Sequence, residues 1–342
     1  MQGVAEIPEQ LEELAAQLST QLLLVAERFD AALASDEPAV AELIRHLERY
    51  RGKMLRPTLV LLSGLASTGA TEPPDRALSD GHRTLAAVCE MVHMATLVHD
   101  DVLDEASVRR GGKTVNHLRG NEAAVMLGDL LIAGAYRLCA SLQDQRASLA
   151  VASMSMEMCV GELTQIANRD NLALSLERYE RILDRKTGAL IGTACELGAH
   201  ASGAPEPTIA ALGTFGRDLG IAFQIQDDLL DLIGTEQSVG KTTGVDLAKG
   251  KLTLPVILWL EAERAAGGAE PAEALLRRAA SGDPAAPAQL RAILTQQGFI
   301  ERARAAAAVR IDRARAQLAT LPPSPARDLL AVLADAVITR SK

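Results

Sequence analysis

LVHDDVLD at residues 97–104 and QIQDDLLD at residues 224–231 are two versions of one pattern, three aspartates at i, i+1 and i+4 inside an otherwise apolar run. On a helix, i and i+4 share a face about one turn apart. The spacing therefore aligns Asp100 with Asp104 and Asp227 with Asp231, and turns Asp101 and Asp228 roughly 100° aside. Like charges at that spacing repel, and Leu97, Val98, Val102 and Leu103 around the first set imply partial burial, which raises the cost. A solvated acidic face would account for one such cluster. Two of them, each in an apolar helix, require something cationic to offset the repulsion.

The surrounding chain has the same helical character. Leu11, Leu14, Leu18, Leu22, Val25 and Phe29 recur at spacings of three and four, one stripe of an amphipathic helix. Aromatic residues are only 2% of the 342, while alanine and leucine dominate, which favours helices over strands. Hydrophobic residues make up 48%, enough for a substantial core. Glycine and proline break the stripes at Thr68–Pro74, Ser202–Pro207, Gly267–Pro271, Ser281–Pro287 and Leu321–Pro325, none long enough for a flexible linker. No period-two run reads as a strand, and no solenoid repeat is visible. The expectation is one all-α domain over residues 1–342 with ten or more helices.

A net charge of -9 argues against a nucleic-acid partner, whose phosphates need a basic face. The four cysteines, at 89, 139, 159 and 195, form no CxxC pair and read as buried thiols in a reducing compartment. The first residues lack the basic start and apolar block of a signal peptide. No apolar run approaches the ~18 residues that span a bilayer. These features point to a cytoplasmic protein with no transmembrane segment.

Carboxylates without histidine or thiolate partners indicate a hard cation, magnesium first. Magnesium commonly bridges one or two carboxylates to substrate phosphates, so two such clusters facing each other could clamp one diphosphate and stabilise its departure from carbon. Basic residues beside glycines accompany the clusters. Arg109 and Arg110 follow Asp104 and precede Gly111-Gly112, Lys53 and Arg56 lie in GKMLRP (52–57), Lys186 lies in RKTGAL, and Lys241, Lys249 and Lys251 lie in GKTTGVDLAKGK. Gly240-Lys241-Thr242 is not a P-loop, because Thr235 stands where the first glycine is required. His93, seven residues before Asp100, aligns with the acidic face and is a candidate substrate contact; His99 reads as structural.

Taken together, GKMLRP, HMATLVHDDVLDEASVRRG, DRKTGAL, FQIQDDLLD and GKTTGVDLAKGKLTLPVI resemble the ordered signature blocks of the trans-isoprenyl (polyprenyl) diphosphate synthase family. The resemblance covers most of the chain. It implies an isoprenoid synthase-type orthogonal helical bundle around a central cavity, usually in a homodimer. It further implies that Asp100 and Asp104, with Asp227 and Asp231, bind three magnesium ions, which manganese can replace, and the allylic diphosphate. By the same resemblance Arg109, Lys186, Lys241 and Lys251 hold that diphosphate, and Lys53, Arg56, His93 and Arg110 hold isopentenyl diphosphate. Thr187 and Gln224 would point oxygens at the nascent carbocation. The implied reaction is ionisation, attack by the isopentenyl double bond and proton loss to the released diphosphate. Met54 departs from the family pattern, where a basic residue is common.

Competing readings are a class I terpene cyclase and a non-catalytic partner subunit. The GKMLRP block and Arg110 argue against the first, and retention of both aspartate clusters against the second. Ala95 and Thr96, five and four residues before Asp100, occupy positions where short-chain relatives carry bulky aromatics as a floor to the product tunnel. Ala95 lies about 7 Å below Asp100 along the helix and is too small to stop a growing chain. The next candidates for a floor are Val92 and, from the following helix, Met126 or Leu130. A long polyprenyl product of the quinone-tail kind is expected, with geranylgeranyl as the alternative.

Overall fold

A computed structural model describes residues 7–233 and 245–339. The described chain is almost wholly helical. In order run α1 (Glu9–Leu33), α2 (Pro38–Leu47), α3 (Leu55–Thr68), α4 (Pro74–Ala77), α5 (Asp80–Leu103), α6 (Val115–Arg119), α7 (Asn121–Ala140), α8 (Gln145–Ala167) and α9 (Leu176–Leu183). A π-helical turn, Asp184–Gly188, leads into α10 (Ala189–Ala201) and α11 (Glu206–Ile233). Then follow α12 (Val245–Ala248), α13 (Leu254–Ala265), α14 (Ala269–Ala280), α15 (Ala286–Gln296), α16 (Phe299–Leu318) and α17 (Pro325–Thr339). All five glycine–proline breaks mark the junctions between helices, with Pro207, Pro271 and Pro287 in the first turn of the next helix.

The chain divides into two compact units. One comprises Met1–Met156, Leu190–Gly216 and Ala316–Leu333; the other comprises Glu157–Ala189, Arg217–Arg315 and Ala334–Lys342. The divisions after Met156, Gly216 and Arg315 fall inside helices rather than in linkers.

In the first unit α5 is the central helix, packed on α1, α3 and α7. Its run from Leu85 to Val98 buries Ala86, Ala87, Val88, Cys89, Met91, Val92, Met94 and Ala95. A helix apolar on nearly all sides belongs in the interior. At its N-terminus Ser79 and His82 form a capping box. The α5–α7 approach is close enough that a side chain at Gly128 would overlap the His99 imidazole, and one at Gly134 would come within 2.7 Å of Met91. In the second unit α11 buries Leu219, Ile221, Ala222, Ile225, Leu229 and Leu232, and α13 packs on α9, α14 and α15.

Four details differ from the sequence reading. Val108–Arg109 (β1) and Gly112–Lys113 (β2) pair as a small antiparallel hairpin. Its two-residue turn, Arg110-Gly111, has φ of 50° and 75°, the mirror-image turn whose twist suits paired strands. Cys159 is exposed, unlike the other three thiols. Contrary to expectation, α7 is long and apolar enough to cross a membrane by length and composition. Glu122, Asp129 and Arg137 interrupt it, and its buried residues Leu127, Gly128 and Leu131 pack toward α5. That same packing turns Met126 and Leu130, the floor candidates from this helix, outward.

Candidate active site

In the first unit the aspartate triad closes α5, and the way the helix ends positions the basic residues. Ala106 N–H donates to the Asp101 carbonyl at 2.9 Å and Glu105 N–H to that of Val102 at 3.2 Å, with Glu105 at φ 51°. This is a Schellman ending, with a left-handed residue just past the helix. It turns the chain directly into the β1–β2 hairpin that carries Arg109 and Arg110. Asp100 and Asp104 remain partly exposed, while Asp101 is 1% exposed.

Asp101 binds the surrounding loops together. It accepts the Tyr50 hydroxyl at 2.8 Å and Arg109 Nε at 2.8 Å, and Tyr50 Oη in turn accepts Val115 N–H at 3.1 Å. Asn116 Nδ2 donates to the carbonyls of Asp101 and Ala106, both at 3.1 Å. Burial pushes the Asp101 carboxyl above the usual carboxylate range, and the Arg109 charge and the Tyr50 hydroxyl oppose that rise.

The GKMLRP block lies at the start of α3. Met54 precedes the helix in the left-handed region at φ 53°, a conformation uncommon outside glycine and asparagine. Arg110 shares that conformation, donates Nη1 to the Tyr50 carbonyl and lays its guanidinium where a Gly52 side chain would be. Two non-glycine residues in this region mark the segment as held by its surroundings. Lys53 is exposed and Arg56 partly so. Two helical turns below Asp100, the His93 imidazole is held well below its ordinary pKa by burial and by the charges of Arg56, Arg110 and Arg109. It is therefore neutral at pH 7. Glu90, 2% exposed, has its carboxyl raised by burial, opposed by Arg56, Arg110 and Arg51.

In the second unit the π turn Asp184–Gly188 presents Lys186 and Thr187. A π turn inserts one residue into a helix and recurs at functional sites. Here it rests on close backbone contacts: a side chain at Gly161 would meet Lys186 N at 2.7 Å, and one at Gly220 would meet Gly188 Cα at 2.9 Å. Arg217 braces the turn by donating to Asp184 at 3.1 Å and Glu157 at 2.9 Å. Lys186 Nζ donates to Gln165 Oε1 at 2.9 Å and pairs with Glu162.

Thr187 Oγ1 donates to Gln224 Oε1 at 3.0 Å, Gln224 Nε2 donates to Asp228 Oδ1 at 3.0 Å, and the Tyr179 hydroxyl donates to Asp228 Oδ2 at 2.7 Å. Asp228 is 8% exposed; burial, then the charges of Asp246 and Asp227, push its carboxyl up to about 7. Asp227 is partly exposed. Asp231 is buried and accepts Asp246 N–H at 3.1 Å, with Lys251 3.7 Å from Asp246.

The structure thus groups Asp100, Asp104, Arg109, Arg110, Lys53, Arg56 and His93 within one unit. It groups Lys186, Thr187, Gln224, Asp227, Asp231 and Lys251 within the other. Lys241 lies outside the described residues. Ala95 is 1% exposed on α5, and the Thr96 hydroxyl donates back to the His93 carbonyl at 2.7 Å. Sequence reasoning missed Tyr50 and Tyr179. The available signal was their scarcity, since the chain has only three tyrosines and two of them hold a middle aspartate.

Among the described residues no three His, Cys, Asp or Glu side chains converge on a ready-made metal site. Partly exposed carboxylates with only oxygen donors nevertheless fit magnesium, which takes its remaining ligands from water and phosphate.

The chain matches the polyprenyl synthetase family over residues 37–295. The heptaprenyl diphosphate synthase component 2 of Geobacillus stearothermophilus is 37% identical over 320 residues, 93% of this chain and 95% of that protein. Among solved structures, a decaprenyl diphosphate synthase from Rhodobacter capsulatus superposes with a TM-score of 0.86 at 37% identity, covering 97% of this chain and 99% of the other. A polyprenyl synthase from Caulobacter crescentus, complexed with calcium and isoprenyl diphosphate, gives 0.86 at 29% identity with 100% of both chains covered.

Proposed function

We propose, for a chain that belongs to the polyprenyl synthetase family and is a prenyltransferase, that it builds a long all-trans polyprenyl diphosphate by repeated addition of isopentenyl diphosphate to an allylic diphosphate. Residues 1–342 act as one catalytic domain. The observation that carries this reading is the pair of triads. In each, the middle aspartate is buried and tied to a tyrosine, while Asp100 and Asp104 on α5 and Asp227 on α11 stay partly exposed.

Asp100, Asp104, Asp227 and Asp231 would hold three magnesium ions with the allylic diphosphate, manganese serving as a substitute. When bound, these ions neutralise the charge that develops on the leaving diphosphate. Arg109, Lys186, Lys241 and Lys251 grip the same group. Lys53, Arg56 and Arg110 bind isopentenyl diphosphate, and His93 contributes a neutral hydrogen-bonding ring rather than a charge. As the allylic C–O bond breaks, the oxygens of Thr187 and Gln224 face the cation. The isopentenyl double bond attacks it, and a proton leaves to the released diphosphate.

Long products are supported by the small, buried Ala95 on α5 and by similarity to heptaprenyl and decaprenyl synthases. Incubation with labelled isopentenyl diphosphate and a series of allylic primers is expected to give products beyond fifteen carbons, abolished reversibly by chelation. Ala95→Phe should shorten them while preserving the first condensation. A wild type that stops at farnesyl diphosphate, or an unchanged product with Ala95→Phe, would overturn the length assignment; a product stopping at geranylgeranyl would select the alternative.

We place the enzyme in the cytoplasm as a homodimer. The compartment is supported by four free cysteines. The dimer is supported by exposed apolar residues on α7 (Val125, Met126, Leu130) and a stripe on α8 (Leu149, Met156, Val160, Leu163). Light scattering should give about twice the 36.2 kDa chain mass. The relative called component 2 makes a mixed assembly the competing outcome, and a monomeric active enzyme would contradict both.

A further inference from the structure

Thr187 and Gln224 each carry a polar group that could point the wrong way. A threonine hydroxyl rotates, and a glutamine amide can present either oxygen or NH2. For a nearby carbocation the difference is decisive, because lone pairs stabilise it and N–H or O–H dipoles repel it. In the second unit a chain of hydrogen bonds removes both freedoms. Asp228, 8% exposed, is an acceptor and draws the Gln224 amide nitrogen toward itself at 3.0 Å. Gln224 Oε1 is thereby turned to Thr187, whose single hydroxyl proton it takes at 3.0 Å. With that proton committed, the remaining lone pairs of the Thr187 oxygen point elsewhere.

The chain is only as well oriented as Asp228, and Asp228 has a second anchor. Tyr179 on α9, 3% exposed, donates its hydroxyl to Asp228 Oδ2 at 2.7 Å and leaves Oδ1 for Gln224. Tyr179 precedes the π turn on the same continuous stretch of backbone, so one segment supplies both the anchor at one end of the chain and Thr187 at the other.

We infer that Tyr179 is a positioning residue for cation stabilisation: through Asp228 and Gln224 it fixes the direction in which Gln224 Oε1 and Thr187 Oγ1 present their lone pairs. This rests on the prenyltransferase reading, in which those oxygens face the carbocation. A hydrogen bond to a buried carboxyl is worth enough that Tyr179→Phe, which keeps the ring, is expected to lower kcat about tenfold. Both KM values and the magnesium concentration for half-maximal rate should stay within about twofold, because no group binding substrate or metal is removed.

The test is a double-mutant cycle of Tyr179→Phe with Thr187→Val, read by kcat, both KM values, magnesium dependence and thermal unfolding. If Tyr179 acts through the chain, it should cost less in Thr187→Val than in the wild type, because only the Gln224 oxygen is then left to orient. Full additivity, a wild-type kcat in Tyr179→Phe, or a fall in kcat matched by a raised magnesium requirement would overturn the inference. An unfolded Tyr179→Phe variant is bypassed by Gln224→Glu, which keeps the shape, places a second carboxylate against Asp228 and should lower kcat more than it changes either KM; an unchanged kcat there would also overturn it. Failure of the prenyltransferase reading is a separate result, seen as a wild type that consumes no isopentenyl diphosphate.

Discussion

The triads of α5 and α11 share a sequence pattern and differ in what holds the middle carboxylate. Asp101 on α5 takes the Tyr50 hydroxyl and the Arg109 guanidinium, each at 2.8 Å, so a positive charge of the protein sits directly on it. Asp228 on α11 takes the Tyr179 hydroxyl and the Gln224 amide, both neutral. Burial raises both carboxyls. Arg109 opposes the rise on α5, whereas on α11 the Asp246 and Asp227 charges add to it. Equal spacing therefore decides which carboxylates share a face, and their neighbours decide whether the protein supplies the counter-charge. The α5 triad spends its middle aspartate on building a loop. The α11 triad joins its own, through the Gln224 amide, to the Thr187 hydroxyl.

The largest expected effect tests what the triads have in common. Asp100→Asn and Asp227→Asn should each lower kcat by about 10²-fold or more, as expected for removal of a preorganised electrostatic group. Magnesium titration then sharpens the contrast. Asp227→Asn should raise the half-maximal concentration further than Asp100→Asn, because the middle aspartate of α11 is bonded to a tyrosine and an amide where that of α5 is bonded to an arginine. Equal shifts would break the comparison, and full activity in either variant would break the clamp.

A smaller effect separates the cations of the two units. Arg56→Ala should raise KM for isopentenyl diphosphate about tenfold with little change for the allylic primer, the size expected for one charge-assisted hydrogen bond. Lys186→Ala should do the reverse. Effects of the same size on both substrates would contradict the division of labour.

Much of this was legible in the chain itself. Helix breaks coincide with glycine–proline clusters because proline is tolerated only in a helix's first turn and glycine readily takes the positive φ that ends one, and the triads stand out because like charges in apolar helices need an explanation. What was not legible depends on contacts distant in sequence or on facing. Tyr50 and Tyr179 meet their aspartates across 51 and 49 residues, which no local spacing announces. The hairpin at 108–113 is too short to show alternation, and its turn places Arg110 as well as Gly111 at positive φ. On α7 apolar residues stand on both sides, Met126 and Leu130 one position from Leu127 and Leu131, so pattern alone could not say which pair faces α5. Lys186 read as a diphosphate ligand from its loop; its pairing with Glu162 and Gln165 on α8 appears only in the fold.

The smallest effect expected on catalysis is that of Tyr50→Phe, and it is the sharpest test of the difference between the triads. Tyr50 and Tyr179 make nearly the same bond to the same position of the motif, so a pattern-level argument predicts equal consequences. The neighbours predict otherwise. Without the Tyr50 hydroxyl, Asp101 keeps Arg109 bonded through Nε and Nη2, so the carboxylate and the hairpin remain in register. What is lost is local: the buried Val115 N–H has no acceptor once Tyr50 Oη is gone. An unsatisfied buried donor and a lost hydrogen bond to a charged group together cost about 2–3 kcal/mol of stability. Unfolding by denaturant should show that loss with an unchanged m-value, while kcat falls by less than about threefold, far short of the Tyr179→Phe effect. If Tyr50→Phe lowers kcat as much as Tyr179→Phe does, the middle aspartates are equivalent after all, and the asymmetry set by Arg109 has no catalytic meaning.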